Sequence, residues 1–113
     1  MDPAEFAPPQ GIFLIGYTGA LPVACGGRRD HGGDAEIKRM FVVPSARGKG
    51  FARRILAELE RTAAASGRAR MVLETRAKQP EAITLYRSAG YHDIPKFGFY
   101  RDYASSVFLG KPL

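Results

Sequence analysis

The residues best suited to chemistry lie in one short stretch, Val42 to Arg53, which is rich in glycine and in basic side chains. Gly48 and Gly50 free the backbone to approach a ligand closely, and the helix predicted to follow offers N-terminal amides and a dipole that favour an anion. The stretch therefore predicts a cradle for phosphate or pyrophosphate. It fits neither a Walker A loop nor a dinucleotide fingerprint, because Val43 and Arg53 stand where those motifs need glycine. Two isolated glycines are also typical of an ordinary turn, and the stretch alone leaves that alternative open.

The remaining reactive side chains carry weaker signals. Tyr86 lies four residues after Ala82 on a predicted helix, where a phenol can either donate a proton or simply pack and make one hydrogen bond. His31 and His92 have no partners at metal-ligand spacing, so the sequence predicts no metal site. Cys25, the one cysteine of the chain, is typical of a small buried apolar residue.

Two longer patterns direct this interpretation towards a family. Residues 47–52 match the pattern Arg/Gln-x-x-Gly-x-Gly/Ala, and residues 42–48 supply the Val-x-Pro-x-x-Arg-Gly frame before it. Further along, Leu73-Glu74-Thr75 precedes residues 79–91, which read Gln-Pro-Glu-Ala-Ile-x-Leu-Tyr-x-x-Ala-Gly-Tyr. Together they resemble the two cofactor-facing segments of the GNAT superfamily of N-acetyltransferases. The resemblance covers residues 11–113 and is most specific between Glu36 and Tyr91.

The resemblance implies acetyl-CoA as co-substrate, with no metal. The backbone of residues 41–43 is then expected to pair with the pantetheine arm as an added strand. Backbone amides of residues 47–52 would hold the pyrophosphate, while the charged side chains there either assist or only face solvent. Gln79 stands near the place of a family asparagine that bonds the pantetheine chain. The cofactor-binding residues implied are Phe41, Val42, Val43, Arg47, Gly48, Lys49, Gly50, Phe51, Ala52, Gln79 and Ala82.

Two catalytic residues are also implied by the resemblance. Tyr86 is expected to protonate the departing CoA thiolate, but a phenol with a pKa near 10 needs help from its site to protonate a thiolate whose ordinary pKa is about 8.5. Glu36 stands where some relatives carry a carboxylate that takes the proton of the acceptor amine. Other relatives use ordered water, and Glu36 can equally form an ion pair with Lys38 or Arg39 at a strand edge.

The periodicity predicts the elements that must position these residues. A proline-rich, flexible lead-in over residues 1–10 precedes a single domain over residues 11–113. It begins with a hairpin from strands 11–17 and 22–26, followed by a loop over 26–34. Further strands are predicted over residues 35–43, 70–75 and 106–109. One helix runs from residue 51 to a stop at Gly67, and a second covers residues 80–89. The fold class is α/β, with a GNAT-like mixed, mostly antiparallel sheet flanked by helices. The resemblance implies that the fold is N-terminally shortened, because GNAT members carry one strand and two helices before the hairpin.

Length and composition exclude several function classes. A chain of 113 residues, 45% of them apolar, can bury a core without disulfides. Its longest apolar run, residues 12–15, is far short of the ~20 residues that cross a bilayer, so a cytoplasmic protein without a membrane partner is expected. The net charge is +6, with nine basic and three acidic residues within 36–70, but no nucleic-acid-binding motif accompanies it and such a partner is not favoured.

Two functions compete at this point. The first is an N-acetyltransferase that moves the acetyl group of acetyl-CoA to a primary amine, on a small molecule or a peptide, by direct attack in a ternary complex. The alternative is a module that binds CoA or acetyl-CoA without a formed acceptor site, because the family elements absent here usually wall that site. The sheet edge that the absent strand leaves exposed also favours a homo-oligomer.

Overall fold

A computed structural model describes residues 3–98 and 102–113 of the chain. Its regular elements are β1 (Gly11–Thr18), β2 (Leu21–His31), β3 (Asp34–Val42), α1 (Phe51–Ala65), β4 (Arg70–Arg76), α2 (Pro80–Ser88), β5 (His92–Asp93) and β6 (Ser106–Pro112). Single turns of 3-10 helix at Pro3–Phe6 and Pro44–Ala46 precede β1 and α1. Neither helix of this described part combines the length and the apolar character needed to span a membrane.

The six strands form one sheet in the order β1-β2-β3-β4-β6-β5. β3 and β4 run parallel, whereas the other neighbouring pairs run antiparallel. The predicted mixed, mostly antiparallel sheet with two helices is therefore confirmed. The crossover from β3 to β4 passes through α1, as a parallel connection requires.

The core lies between α1 and one face of the sheet. The apolar stripe of α1 buries Ile55, Leu56, Leu59 and Ala63, which cluster with Ala35 and Ile37 of β3 and Met71 and Leu73 of β4. We call this side the helix face. The opposite side of β1–β3 presents Phe13, Ile15, Tyr17 and Phe41, each between 41% and 55% exposed, and we call it the open face.

β2 is longer than the sequence predicted, and the expected loop over residues 26–34 is wrong. The strand continues to His31, and a turn at Gly32-Gly33 leads into β3. A Cβ on Gly26 would lie 2.8 Å from Ile55, and one on Gly27 would lie 2.9 Å from Phe13 and Phe6. These two glycines therefore mark close packing within a strand rather than flexibility.

The start of the chain contacts the sheet. Phe6 meets Phe13 edge-on, with ring centroids 6.2 Å apart, and Glu5 Oε2 lies 2.7 Å from Arg29 Nη1. The sequence had indicated no regular structure before Gly11, whereas a turn of 3-10 helix is present. The division of the chain at residue 10 stays a prediction.

Candidate active site

A cleft of about 610 Å³ opens between β3 and β4. The two strands pair only at Ala35–Met71 and Glu36–Val72, and beyond these pairs they diverge. Residues 37–42 of β3 and 73–75 of β4 line the two sides, and the start of α1 and one side of α2 complete the wall. The volume lies within the usual range for small-molecule sites.

A β-bulge in β3 accounts for the divergence. Lys38 pairs with Gly27 and Phe41 pairs with Cys25, so two residues, Arg39 and Met40, lie opposite the single residue between those partners. Arg39 takes a positive φ of 59°, which is unusual for a residue with a side chain. Because a bulge bends its strand, β3 turns away from β4 and leaves its β4-facing backbone without a strand partner.

The glycine-rich stretch between β3 and α1 forms one end of the cleft. Gly48 and Gly50 have φ values of 78° and 87°, and a Cβ on either would meet nothing within 4 Å. Glycine is therefore favoured here by conformation and not by crowding. The first hydrogen bond of α1 runs from Arg54 N to Gly50 O at 3.1 Å, so the amides of residues 51–53 have no helical acceptor and are free to bind an anion.

The basic side chains around this stretch are mostly held by the protein itself. Arg47 Nε donates to Val42 O at 3.0 Å, and its guanidinium lies 5.8 Å from the centre of the Phe41 ring. Arg53 Nη2 donates to Ser88 Oγ at 2.7 Å and so links α1 to α2. Lys49 is exposed and does not line the cleft. The backbone is thus better placed than the side chains to hold phosphate.

Tyr86 borders the cleft from the helix face. It is only 6% exposed and meets Tyr91 edge-on, with ring centroids 5.6 Å apart. Tyr91 is fixed in turn, because its hydroxyl donates to Glu60 Oε2 at 2.8 Å. Burial raises the pKa of Tyr86 to about 12, so the phenol is protonated at neutral pH. Its hydroxyl makes no hydrogen bond within residues 3–98 and 102–113.

Most of the residues predicted to bind the cofactor do line the cleft. Gln79 lies just before α2, where its Oε1 accepts a hydrogen bond from Thr75 Oγ1 at 3.3 Å. Val43 does not line the cleft, and its amide donates to Val23 O at 2.9 Å. The predicted residues that the structure brings together around the cleft are Phe41, Val42, Arg47, Gly48, Gly50, Phe51, Ala52, Gln79, Ala82 and Tyr86.

Glu36, the predicted base, lies outside the lining of the cleft. It is 4% exposed and pairs with Arg29 Nε at 3.2 Å and Lys38 Nζ at 3.3 Å. His31 Nδ1 lies 4.0 Å away. The ion-pair alternative that the sequence left open is therefore present, with Arg29 of the neighbouring strand in the place expected for Arg39.

Glu74 is a carboxylate in the cleft that the sequence reasoning missed as a site residue. It lines the cleft from the open face, one residue along β4 from the buried Leu73. Its Oε2 lies 3.4 Å from Arg76 Nε but is buried without a hydrogen-bond partner in the described residues. The alternation of Met71, Leu73 and Thr75 towards the helix face was the signal that places Glu74 on the other side. Tyr86 and Glu74 thus border the same cleft from opposite faces of the sheet.

Comparisons with known proteins agree with this geometry. Residues 2–91 match the model of the acetyltransferase (GNAT) family. The IAA acetyltransferase of Azospirillum brasilense is 39% identical over an alignment that covers 100% of this chain and 75% of that protein. A crystal structure from Klebsiella pneumoniae, of a protein assigned as an acyl-CoA N-acyltransferase, superposes with a TM-score of 0.90 at 32% identity and covers 100% of this chain and 79% of its own.

A more distant structure shares the fold. The PaiA N-acetyltransferase of Thermoplasma acidophilum, in complex with coenzyme A, has a TM-score of 0.81 at 16% identity, over 92% of this chain and 62% of its own. The resemblance read from residues 42–52 and 73–91 is confirmed by the family match and by the two closer relatives. The chain belongs to the GNAT family of acetyltransferases.

Proposed function

We propose that this acetyltransferase moves the acetyl group of acetyl-CoA to a primary amine by direct attack in a ternary complex. The observation that carries the proposal is the cleft between β3 and β4. It combines free amides at a helix start, an unpaired strand edge, a buried phenol and a carboxylate with one buried oxygen. The Thermoplasma neighbour, which shares this fold, is a complex with coenzyme A and supports a CoA thioester as the acetyl donor.

The chain would hold acetyl-CoA chiefly through its backbone. Amides of residues 51–53 face the pyrophosphate, and the unpaired edge of β3 at Phe41 and Val42 pairs with the pantetheine arm, as in strand addition. Arg47 donates a hydrogen bond to the Val42 carbonyl, so its side chain holds the end of β3 in place and does not bind the phosphates. Gln79 and Ala82 border the same path from α2.

Glu74 is the group placed to take the proton of the acceptor ammonium. The freed amine attacks the thioester carbonyl, the C–N bond forms, and the C–S bond breaks with its electron pair on sulfur. Tyr86 donates a hydrogen bond to this sulfur from the helix face. Since the pKa of Tyr86 is raised to about 12, stabilising the developing charge is easier for it than complete proton transfer to a thiolate whose ordinary pKa is about 8.5. The nitrogen then loses a second proton, which ends on the sulfur, so the products are an N-acetylamine, the CoA thiol and the proton that Glu74 took up and releases.

The acceptor is a small-molecule or peptide amine. The alternation of β4 places Glu74 on the open face, so the acceptor would enter there while acetyl-CoA lies along the helix face. The single cysteine of the chain accords with a reducing cytoplasm, which we propose as its location. We also propose that the chain associates with a second copy of itself.

The test compares two carboxylate variants that remove the same charge. Glu74→Gln should lower kcat for CoA release by about a hundredfold or more, because general-base catalysis typically contributes that much. Glu36→Gln should leave kcat within a few fold and lower thermal stability instead, because it leaves Arg29 and Lys38 without their shared partner. The opposite pattern would restore Glu36 as the base.

Binding and turnover on one sample separate the enzyme from the module that only binds CoA. Calorimetric titration should show acetyl-CoA binding, and a thiol assay should show CoA release that depends on added amine. Binding without release across a broad panel of amines would support the binding module. The absence of acetyl-CoA binding would contradict both functions.

A further inference from the structure

Two opposite charges border the open-face mouth of the cleft. Glu36 and Val72 form the last paired position of β3 and β4, and they lie on the open-face side of the sheet. Lys38 and Glu74 are the next residues on that side of each strand, since side chains alternate along a strand. In a continuous ladder they would be neighbours, but here the strands diverge and both side chains line the cleft.

Lys38 and Glu74 each form an ion pair with a residue of their own strand, and each can still bind one more charged group. Lys38 Nζ lies 3.3 Å from Glu36 Oε2, which is a carboxylate that Arg29 already bonds at 3.2 Å. An ammonium has three donors, so this one contact leaves Lys38 able to bind a further acceptor. Glu74 Oε2 has an ion-pair neighbour in Arg76 but no hydrogen bond within the described residues. The side chains are 20% and 12% exposed, so bulk water compensates either charge only in part.

We propose that the acceptor is a zwitterion of the α-amino acid class, with its ammonium at Glu74 and its carboxylate at Lys38. This inference rests on the proposed acetyl transfer. One carbon separates the two charges of an α-amino acid, and groups on facing strands can meet both at once. A plain amine satisfies Glu74 and leaves Lys38 without its further partner.

The neighbouring surface favours an apolar side chain on that amino acid. Phe41 lines the same mouth from the open face and is 51% exposed. Its strand neighbour Cys25 and, beyond it, Ile15 continue the apolar surface away from the cleft. Phenylalanine is therefore a suitable probe, and phenethylamine is the matched amine that lacks only the carboxylate.

The experiment measures kcat/KM for both amines in the wild type and three variants. The wild type should prefer phenylalanine by about tenfold or more, since hydrogen bonds to charged groups are worth at least that factor. Lys38→Gln should remove this preference by lowering the value for phenylalanine alone, and Lys38→Arg should retain most of it. Arg61→Gln removes the same charge on the solvent side of α1, where Arg61 pairs with Glu58, and should change neither value.

Calorimetry provides a readout that does not depend on turnover. Phenylalanine should bind the chain saturated with CoA, and Lys38→Gln should weaken that binding at least tenfold while leaving acetyl-CoA affinity within error. Equal use of both amines, or an equal loss for both in Lys38→Gln, would overturn the inference while acetyl transfer stands. If acetyl-CoA binds but neither amine does, the inference is also wrong. Failure of acetyl-CoA to bind would instead remove the proposed function.

Discussion

Tyr86 has two separable parts, a ring that packs in the core and a hydroxyl that has no hydrogen bond in the described residues. Tyr86→Phe keeps the contact with Tyr91 and removes only the hydroxyl. We expect kcat to fall by about a hundredfold, while the free energy of unfolding and the acetyl-CoA affinity change little. Single-turnover rates and urea unfolding measure the two effects. A large loss of stability with unchanged turnover would assign Tyr86 to packing alone.

The raised pKa of Tyr86 predicts how stability depends on alkaline pH. Tyrosine in the unfolded chain loses its proton near pH 10, whereas folded Tyr86 holds it up to about pH 12. Below pH 10 both states are protonated, and between pH 10 and 12 ionisation favours the unfolded state. For a shift of this size the loss is about 2–3 kcal/mol. Burial and the bond to Glu60 also raise the pKa of Tyr91, so the wild type should lose more than this.

Urea unfolding at pH 9, 10, 11 and 12 checks this dependence. The free energy of unfolding of Tyr86→Phe should fall less steeply above pH 10 than that of the wild type. Parallel curves for the two proteins would show that the phenol of Tyr86 titrates normally.

At the residue scale, the sequence predicted the glycines and Tyr86 better than the charges. The roles of Gly48 and Gly50 depend on their own backbone conformation, and that of Tyr86 depends on its position on one face of α2. Spacing along the chain was therefore sufficient to predict them. The partners of Glu36 and the orphaned oxygen of Glu74 depend on neighbouring strands and on where β3 leaves β4. Neither the partners of Glu36 nor the surroundings of Glu74 can be predicted from the residues next to them in the sequence.

Among the elements, β2 contains a glycine, Gly27, whose requirement for close packing can be tested. Gly27→Ala places a Cβ against the rings of Phe6 and Phe13, and overpacking of this kind costs about 1–3 kcal/mol. Gly33→Ala is the matched control, because a Cβ there meets nothing within 4 Å and the glycine has no positive φ. Thermal unfolding should show a lower melting temperature for the first variant only. Equal melting temperatures would mean that residues 3–6 do not press on the sheet.

The sequence located α1, α2, β1, β3 and β4 to within one or two residues, whereas β6 extends further than predicted. Helix periodicity, Pro80 at a first turn and Gly67 after a last turn are local signals, and the structure follows them. The strand predicted for β2 ended too early, because Arg28 and Arg29 are residue types typical of exposed loops. In the sheet they lie on opposite faces, where Arg28 donates to Thr62 and Ser66 of the α1 end and Arg29 pairs with glutamates.

At the scale of the whole molecule, the open face holds four of the seven large apolar side chains that are exposed in the described residues. Its side chains, Phe13, Ile15, Tyr17 and Phe41, leave roughly 450 Å² of apolar surface in water, within the range of the largest patches found on monomers. Face-to-face contact of two copies would bury about 900 Å², which is below the size of a standard stable interface. We therefore expect weak, reversible self-association.

Sedimentation velocity across a wide concentration range measures this association. Ile15→Lys should abolish it, because the charge would be buried in the centre of the contact. Ala57→Lys adds the same charge at an exposed site on α1 and should leave the association unchanged. Sedimentation as a monomer at every concentration would remove the open face as a self-contact.

The two residue pairs that join β3 to β4 also have a thermodynamic consequence. They are the whole ladder between the half-sheets β1–β3 and β4–β6, so few backbone hydrogen bonds join the two halves. Amides along the open edge of β3 should exchange with deuterium faster than those facing β2. Under the proposed binding mode, acetyl-CoA contacts both half-sheets. The free energy of unfolding of the enzyme should therefore rise with the logarithm of the acetyl-CoA concentration. Heat resistance would then report how well the protein is supplied with its acetyl donor.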